Sequence, residues 1–257
     1  MRAEGAAPGP LTACVDVGAS TLKGGIVDAR GQLVSDRVKL RTTWPMTPSK
    51  LVEEVARLVV RLPRADRLAL GFPGPVVDGV VDSGANLERR AGPGTERTRA
   101  LRDAWRGFEL QRRLSATFEL DARVANDADV AALGCARGKG LELTVTLGSG
   151  LGSGLTLDGV LQPHLECSQL RWSRHESLDD VLGEHARKRD GEQRWHTRVV
   201  SSLHLLRELL SFDHLHVGGG NGPRVRLDAL GRLAETASLA PSRTGILGGV
   251  LLYGPLR

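Results

Sequence analysis

The sequence predicts a duplicated α/β chain, two lobes that each open on a strand, a tight glycine turn and a second strand. Three observations carry this. The run TACVDVG (12–18) is followed at once by LKGGIVD (22–28). Adding 130 to the numbering lays Val17-Gly18 on Leu147-Gly148, Gly24 on Gly154, Val27 on Leu157 and Asp28 on Asp158. Repetition of a whole strand–turn–strand unit is the mark of a duplicated fold. Strand-like runs and helical stretches occur in each half, which gives two α/β halves with a cleft between them.

The elements follow in order. Residues 1–10, MRAEGAAPGP, form a short disordered lead-in without the apolar stretch of a secretion signal. Strand-like runs at 12–18, 22–28 and 32–40 come next, the last two joined by the turn Asp28-Ala29-Arg30-Gly31. After Pro48, residues Leu51, Val55, Leu58, Val59 and Leu62 fall on one helical face. RLALGFPG (67–74) reads as a buried strand stopped by Gly and Pro. The arginine-rich stretch 88–104, with Gly92-Pro93-Gly94, reads as a surface loop leading to a helix near Glu109–Thr117, with Trp105 and Phe108 anchoring it to the core. In the second half, Val199, Leu203, Leu206 and Leu210 make one helical face before the strand 215–217. The first lobe is expected over 11–120 and the second over 121–243, with a small-residue helix at 244–254 packing back on the first.

Composition narrows the function. Hydrophobic residues make up 40% and charged residues 25%, ordinary for a soluble globular chain. No apolar run approaches the roughly 20 residues that span a bilayer, so no membrane partner is expected. Three dispersed cysteines, Cys14, Cys135 and Cys167, make neither a disulfide framework nor a zinc knuckle and suit a reducing cytoplasm. The net charge of +5 fits a solvated basic surface or a groove for an anionic substrate. Only five of the 35 basic residues are lysines, aromatics are 4%, and no nucleic-acid-binding signature occurs, so a nucleic-acid partner is not expected.

Three segments carry chemistry. Asp16-Val17-Gly18-Ala19-Ser20-Thr21-Leu22-Lys23 is a strand ending in a tight turn whose amides, hydroxyls and lysine suit an anion, although such turns also join plain hairpins. The run Leu147 to Gly154 alternates Gly with Ser between two strands; a purely structural hairpin rarely needs so much backbone freedom, and a phosphate cradle does. Neither run matches the Walker pattern or a dinucleotide site. Asn126-Asp127-Ala128-Asp129 precedes an alanine-rich helix and supplies a helix cap, yet a cap needs one polar residue, and a carboxylate there can accept a proton from an attacking hydroxyl. His214 and His216 alternate along a strand without a third metal ligand, and Lys139 reads as a solvated loop residue.

DVGASTLKGGIVD, GFPGPV, GANL, VANDADVAALG, TLGSGLGSGL and VGGGNG occur in the order and rough spacing of the ROK family of sugar kinases and related repressors, from about Thr12 to Gly254. The chain most resembles the short polyphosphate/ATP-glucokinase-like branch. The resemblance implies an actin-like, ribonuclease-H-like duplicated fold and a hexokinase-type phosphotransferase using ATP or polyphosphate with Mg²⁺, on glucose or another hexose. It implies that Asp16, Gly18, Ser20 and Lys23 form the first phosphate loop, Asp16 also orienting the magnesium or its waters. It implies that Gly148, Ser149, Gly150 and Gly152 form the second phosphate loop, and that Gly218, Gly219 and Gly220 lie beside the nucleotide base and ribose. Asn86, Asn126 and Glu166 match the sugar-binding positions, and Asp127 matches the general base. Homodimers are common in such folds.

The pattern departs from the family on the sugar side. Relatives carry Glu-x-Gly-His where this chain has Glu166-Cys167-Ser168-Gln169, so Gln169 takes the histidine's place. A further sugar-contacting glutamate is replaced by Asp179 or supplied by Glu176. The zinc-binding cysteine cluster of longer relatives is missing, so no structural metal is expected. These losses leave a second reading open, a degenerate relative that binds sugar or nucleotide without turnover. A repressor is disfavoured, since too few residues precede the first turn for a helix-turn-helix.

Overall fold

Alternation along β1 (Thr12–Val17) gives the first sheet two dry faces: Ala13, Val15 and Val17 enter one cluster while Cys14 enters another. The computed structural model describes residues 9–241 and 243–254; the expected lead-in lies, for residues 1–8, outside the described residues. β2 (Thr21–Val27) returns antiparallel to β1, and β3 (Val38–Arg41) pairs with β2. Helix α1 (Pro48–Val59) starts where the Thr47 hydroxyl accepts the Lys50 N–H (3.3 Å) and Pro48 occupies the first turn; Leu51, Val55 and Leu58 are its buried stripe. β4 (Arg67–Phe72) lies parallel to β1 and is followed by the small hairpin of β5 (Val76–Val77) and β6 (Val80–Val81). Helices α2 (Arg99–Trp105) and α3 (Leu110–Phe118) lead to β7 (Asp121–Asn126), which joins β4 in parallel, for a strand order β3-β2-β1-β4-β7.

Helix α4 (Asp127–Cys135) leads into the second sheet. There β8 (Leu141–Leu147) and β9 (Leu151–Leu157) form a hairpin edged by β10 (Val160–Leu161). Helices α5 (Leu178–Leu182), α6 (Glu184–Asp190) and α7 (Glu192–Leu210) precede β11 (His214–Gly218). β12 (Ala237–Leu239) closes the order β10-β9-β8-β11-β12, and α8 (Thr244–Leu247) runs into a 3₁₀ segment, Gly248–Tyr253. The connectivity of the first sheet is thus repeated in the second, two antiparallel pairings followed by two parallel ones. The offset of 130 maps the end of β1 at Val17, and both ends of β2, onto Leu147, Leu151 and Leu157.

Contacts divide the chain into two units, one reaching Val130 and including residues from Gly245 onward, the other Ala131–Thr244. Residues 121–130 therefore group with the first unit, not with the second lobe expected to start at 121, because β7 hydrogen-bonds to β4. In the first unit α1 and α3 cover one face of the sheet. Ile246, Val250 and Tyr253 of the C-terminal segment pack with Cys14, Val27 and Ala69 on the other. The Tyr253 hydroxyl lies 2.7 Å from both the Leu68 and Asp121 carbonyls, and its ring is covered by the Arg67 guanidinium at 4.6 Å. In the second unit Leu143, Val145, Leu147, Leu215 and Val217 pack against Trp195, Val199, Leu203 and Leu206 of α7. No helix among the described residues is long and apolar enough to cross a membrane.

Three expectations need correction. The strand expected at 32–40 is paired in full only from Val38: the Asp28 carboxylate takes the Arg30 and Gln32 N–H groups (2.9 and 2.8 Å), and the Ser35 hydroxyl takes the Ile26 N–H (2.9 Å), displacing the ladder. The stretch 88–104 is not all loop, since Thr98 caps α2, whose Trp105 is fully buried. Its indole N–H donates to the Met46 carbonyl (3.0 Å) and its ring packs on Phe72 (5.2 Å between centroids) and Phe108 (6.1 Å), which is the anchoring expected of it. The C-terminal helix expected over 244–254 tightens after Leu247 into 3₁₀ turns.

Candidate functional site

The glycine turns and the Asn126-Asp127 pair lie at the carboxyl ends of the parallel strands β1, β7, β8 and β11, the edge where open α/β sheets hold ligands. Asn86, Glu166, Gln169 and Asp179 come from the 3₁₀ turns and helix that follow. In the first unit Asp16 is in register with Gly71, and Phe72 with Asn126, so the ends of β1, β4 and β7 form one rim. The turn after β1 is closed by the Gly18 N–H donating to the Thr21 carbonyl (3.1 Å). Thr42 clasps it, donating its hydroxyl to the Gly18 carbonyl (2.8 Å) and its N–H to the Ser20 carbonyl (3.1 Å). A side chain at Gly18 would start 2.9 Å from the Thr21 carbonyl oxygen, so the tight turn requires glycine. The Lys23 ammonium stands 3.4 Å from the Asp16 carboxylate. Burial pushes the Asp16 carboxyl above its ordinary value, and Lys23 partly offsets that.

Asn126 is buried and occupied. Its amide oxygen accepts the N–H of Ala128 (2.8 Å) and of Asp129 (3.4 Å), and its amide nitrogen donates to the Gly74 carbonyl (3.1 Å). It is the N-cap of α4 and fastens that helix to the turn after β4, which leaves one amide hydrogen for a ligand. Asp127 is the first residue of α4, half-buried, at the positive end of the helix dipole.

Asn86 lies in a 3₁₀ turn, Ala85–Glu88, half-buried, its amide oxygen accepting from Arg89 Nε (3.1 Å). The turn is held from below by Glu88, which the sequence reading passed over. This carboxylate is 2% exposed, accepts the Ser83 hydroxyl (2.8 Å) and the Gly84 N–H (3.0 Å), and faces Arg97 at 3.9 Å and Arg102 at 3.8 Å. Ala85 is kept at φ +48°, a conformation that a non-glycine residue adopts only when its surroundings impose it. The arginine-rich stretch thus contributes to the placement of Asn86.

In the second unit the β8–β9 turn is braced on three sides. The Asp179 carboxylate accepts the Leu151 N–H (2.9 Å), the Glu184 N–H donates to the Gly148 carbonyl (2.9 Å), and the Asn221 N–H donates to the Leu147 carbonyl (2.8 Å). Asn221 also donates its amide to Glu184 (3.0 Å). Arg187, hydrogen-bonded to Glu184 at 2.8 and 2.9 Å, is the chief reason its carboxyl is held down at about 2; partial burial opposes, and Asn221 and Lys188 assist. Gly148, Ser149 and Gly150 make the turn, whereas Gly152 is a β9 residue opposite Thr146. Gly218 ends β11 beside Thr146, and Gly219, at φ +79°, lies so close to Leu147 that any side chain would collide with its backbone. Gly220 is exposed, with open space above it.

Glu166 is tied to the same hairpin through Ser153, whose hydroxyl donates to the Leu165 carbonyl (2.6 Å) and accepts the Cys167 N–H (3.2 Å). Burial pushes the Glu166 carboxyl up, but hydrogen bonds from His164 (3.4 Å) and from the Ser168 hydroxyl (2.5 Å) outweigh it and hold the group below the usual range. Gln169 is exposed and acts behind this pair, donating to the Ser168 hydroxyl (3.0 Å). His164, given no role by the sequence, is thus the imidazole nearest this carboxylate.

His214 and His216 form a second polar cluster on the opposite face of this sheet from α7. His216 lies 2.8 Å from Glu142 and 3.1 Å from the Ser238 hydroxyl, while His214 meets Ser238 (3.0 Å) and Arg137 (2.8 Å). Burial pushes the Glu142 carboxyl up, and His216 with the N–H groups of Arg137, Gly138 and Lys139 more than reverses it. The pair belongs to a buried hydrogen-bonded network between strands. Its partners stand 74 residues apart, which hid it from the sequence.

A family model described as the ROK family matches residues 12–163. The chain is 31% identical over 217 residues to the polyphosphate glucokinase of Mycobacterium tuberculosis, across 80% of this chain and 76% of that protein. Among solved structures, the inorganic polyphosphate/ATP-glucomannokinase from Arthrobacter sp. strain KM superposes with a TM-score of 0.80 at 29% identity, covering 96% of this chain and 98% of that one. The ROK family glucokinase from Streptomyces griseus, solved with glucose and AMPPNP, shares the fold at a TM-score of 0.71 and 19% identity, over 94% and 98% of the two chains. Sequence model, relatives and duplicated sheets agree, and this chain belongs to the ROK family, on its actin-like α/β fold.

Proposed function

We propose that this protein is a sugar kinase that transfers a phosphoryl group from ATP or polyphosphate to a hydroxyl of a hexose, with Asp127 as the general base. The observation that carries the reading is the shared rim of β1, β4 and β7, where a half-buried carboxylate at a helix N-terminus stands at the same sheet edge as a closed glycine turn with a paired Asp16 and Lys23. The names of the relatives, polyphosphate glucokinase and polyphosphate/ATP-glucomannokinase, support both the reaction and the choice of donors.

Phosphoryl transfer asks for positioning and charge stabilisation more than covalent help. The Asp127 carboxylate takes the proton of the attacking hydroxyl as its oxygen bonds to phosphorus and the bond from phosphorus to the donor's bridging oxygen breaks. Asn86, Asn126 and Glu166 hold sugar hydroxyls, with Gln169 orienting Glu166 through Ser168. The turn of Gly18 and Ser20 and the turn of Gly148, Ser149 and Gly150, closed by the Gly18 and Gly148 N–H groups, offer their other amides to the donor phosphates. Lys23 adds a cation, and Gly218, Gly219 and Gly220 give a nucleotide base and ribose room. Mg²⁺ arriving with the donor supplies charge neutralisation; a hard carboxylate such as Asp16, at the strand end, fits that ion or its waters.

The test is a coupled phosphorylation assay of a hexose panel, glucose and mannose first, against ATP and polyphosphate, each with and without Mg²⁺. Product with at least one sugar is expected. No product with any sugar, alongside measurable sugar or donor binding, overturns the kinase reading in favour of a binding protein. Light scattering on the same preparation reads whether the chain pairs as a homodimer, as we also propose. The cysteines are free, which suits the cytoplasmic location we assign.

A further inference from the structure

We propose that Asp179 is a positioning residue for the phosphate donor, fixing the second glycine turn, and not a sugar ligand. The proposal rests on the kinase reading above and refines it at one residue. Asp179 is the second residue of α5, and α5 is set in place by a reciprocal cap: the Ser177 hydroxyl accepts the Asp180 N–H (3.3 Å), and the Asp180 carboxylate accepts the Ser177 N–H (2.9 Å). So fixed, the Asp179 carboxylate accepts the N–H of Leu151, the residue that ends the turn (2.9 Å). The same oxygen occupies the space that a side chain at Gly150 would fill, since a Cβ built there collides with Asp179 Oδ1. Gly150 is glycine to admit this carboxylate.

The rest of the helix junction faces the same turn. The Gly183 N–H donates to the Asp179 carbonyl (3.2 Å), and a side chain at Gly183 would start 2.5 Å from the Ser149 carbonyl. Glu184 then holds the Gly148 carbonyl. Residues 179–184 therefore grip both ends of a three-residue turn that has little hydrogen bonding of its own. A turn that cradles phosphate must keep its amides aimed before the ligand arrives, because a loop ordered only on binding loses affinity to its own entropy. Asp179 supplies that order from outside the turn.

The test compares Asp179→Asn, Asp179→Ala and Gly150→Ala with wild type. The asparagine keeps an acceptor oxygen, the alanine removes it, and the third variant pushes the carboxylate away from the other side. Donor KM, for ATP and for polyphosphate, is expected to rise about tenfold in Asp179→Ala and Gly150→Ala and less in Asp179→Asn, with sugar KM within about twofold throughout. Hydrogen exchange at the Leu151 amide is expected to speed up in the same order, in the protein without ligand. A rise in sugar KM with donor KM and Leu151 exchange unchanged overturns the proposal, as does a parallel rise in both KM values. Thermal melts show which variants are folded, and the asparagine variant alone suffices if the others are not. If wild type phosphorylates no sugar, the kinase reading falls, while Leu151 exchange and calorimetry with ATP and polyphosphate still decide the role of Asp179.

Discussion

Gly71 and Asp127 are packed too closely for a side chain between them: one begun at Gly71 would stand 3.3 Å from the Asp127 Cα and 3.6 Å from its Cβ. β4 thus forms the floor on which the first residue of α4 rests, and the height of that floor sets where the carboxylate stands. Gly71→Ala must lift Asp127 by a few tenths of an ångström. We expect turnover to fall about tenfold, since misplacement of a reacting group by about 1 Å can cost about a hundredfold. Sugar and donor KM should change little; unchanged turnover in a folded variant would show that the placement of Asp127 does not matter.

Asp127→Asn removes the proton acceptor and keeps the shape. Because general-base catalysis contributes about 10² to 10⁴ in rate, turnover should drop by about that factor while donor affinity, measured by calorimetry, stays near wild type. Near-normal turnover would refute the assigned base.

Glu88 is a buried carboxylate with no reach to a ligand in this reading, yet it holds the turn that presents Asn86. Glu88→Ala leaves the Gly84 N–H and the Ser83 hydroxyl without this acceptor, a loss of about 2 kcal/mol of stability by denaturant titration. Sugar KM should rise severalfold and donor KM should not. A variant that loses stability with sugar KM unchanged would separate Glu88 from the placement of Asn86.

Acid should weaken the second unit through Glu184. Its folded carboxyl titrates near 2, below the ordinary 4.5, so the charged form is the one that favours folding. That contribution is complete above pH 4.5 and is lost as pH falls toward 2. Glu184→Gln should therefore be less stable than wild type near neutrality, and the gap between the two should close across that acid window in denaturant titrations. A gap independent of pH would place the stabilisation elsewhere.

The sequence alone determined the duplication, because a strand–turn–strand unit writes its hydrophobic alternation and its glycines into consecutive residues. Val17 and Thr21 in the first copy and Leu147 and Leu151 in the second bound the two turns at the same offset. It also determined α1, whose Thr47, Pro48 and apolar stripe are local signals. The glycine turns were legible because their glycines fall within short runs of consecutive residues; at Gly18 the Thr21 carbonyl, and at Gly150 the Asp179 carboxylate, leaves no room for a side chain.

Only the tertiary structure decided which partners the polar side chains find. The family resemblance offered Asp179 or Glu176 as a sugar contact; what the fold adds is that the Asp179 carboxylate accepts the N–H of Leu151, 28 positions away. The buried Glu88, the Glu142 and His216 pair and the truncation of β3 by Ser35 were invisible in the same way. A buried carboxylate must find donors wherever the fold brings them, and donors contributed by distant backbone leave no trace in spacing or periodicity. Secondary structure is a short-range property of this chain; the partners of its charges are a long-range one.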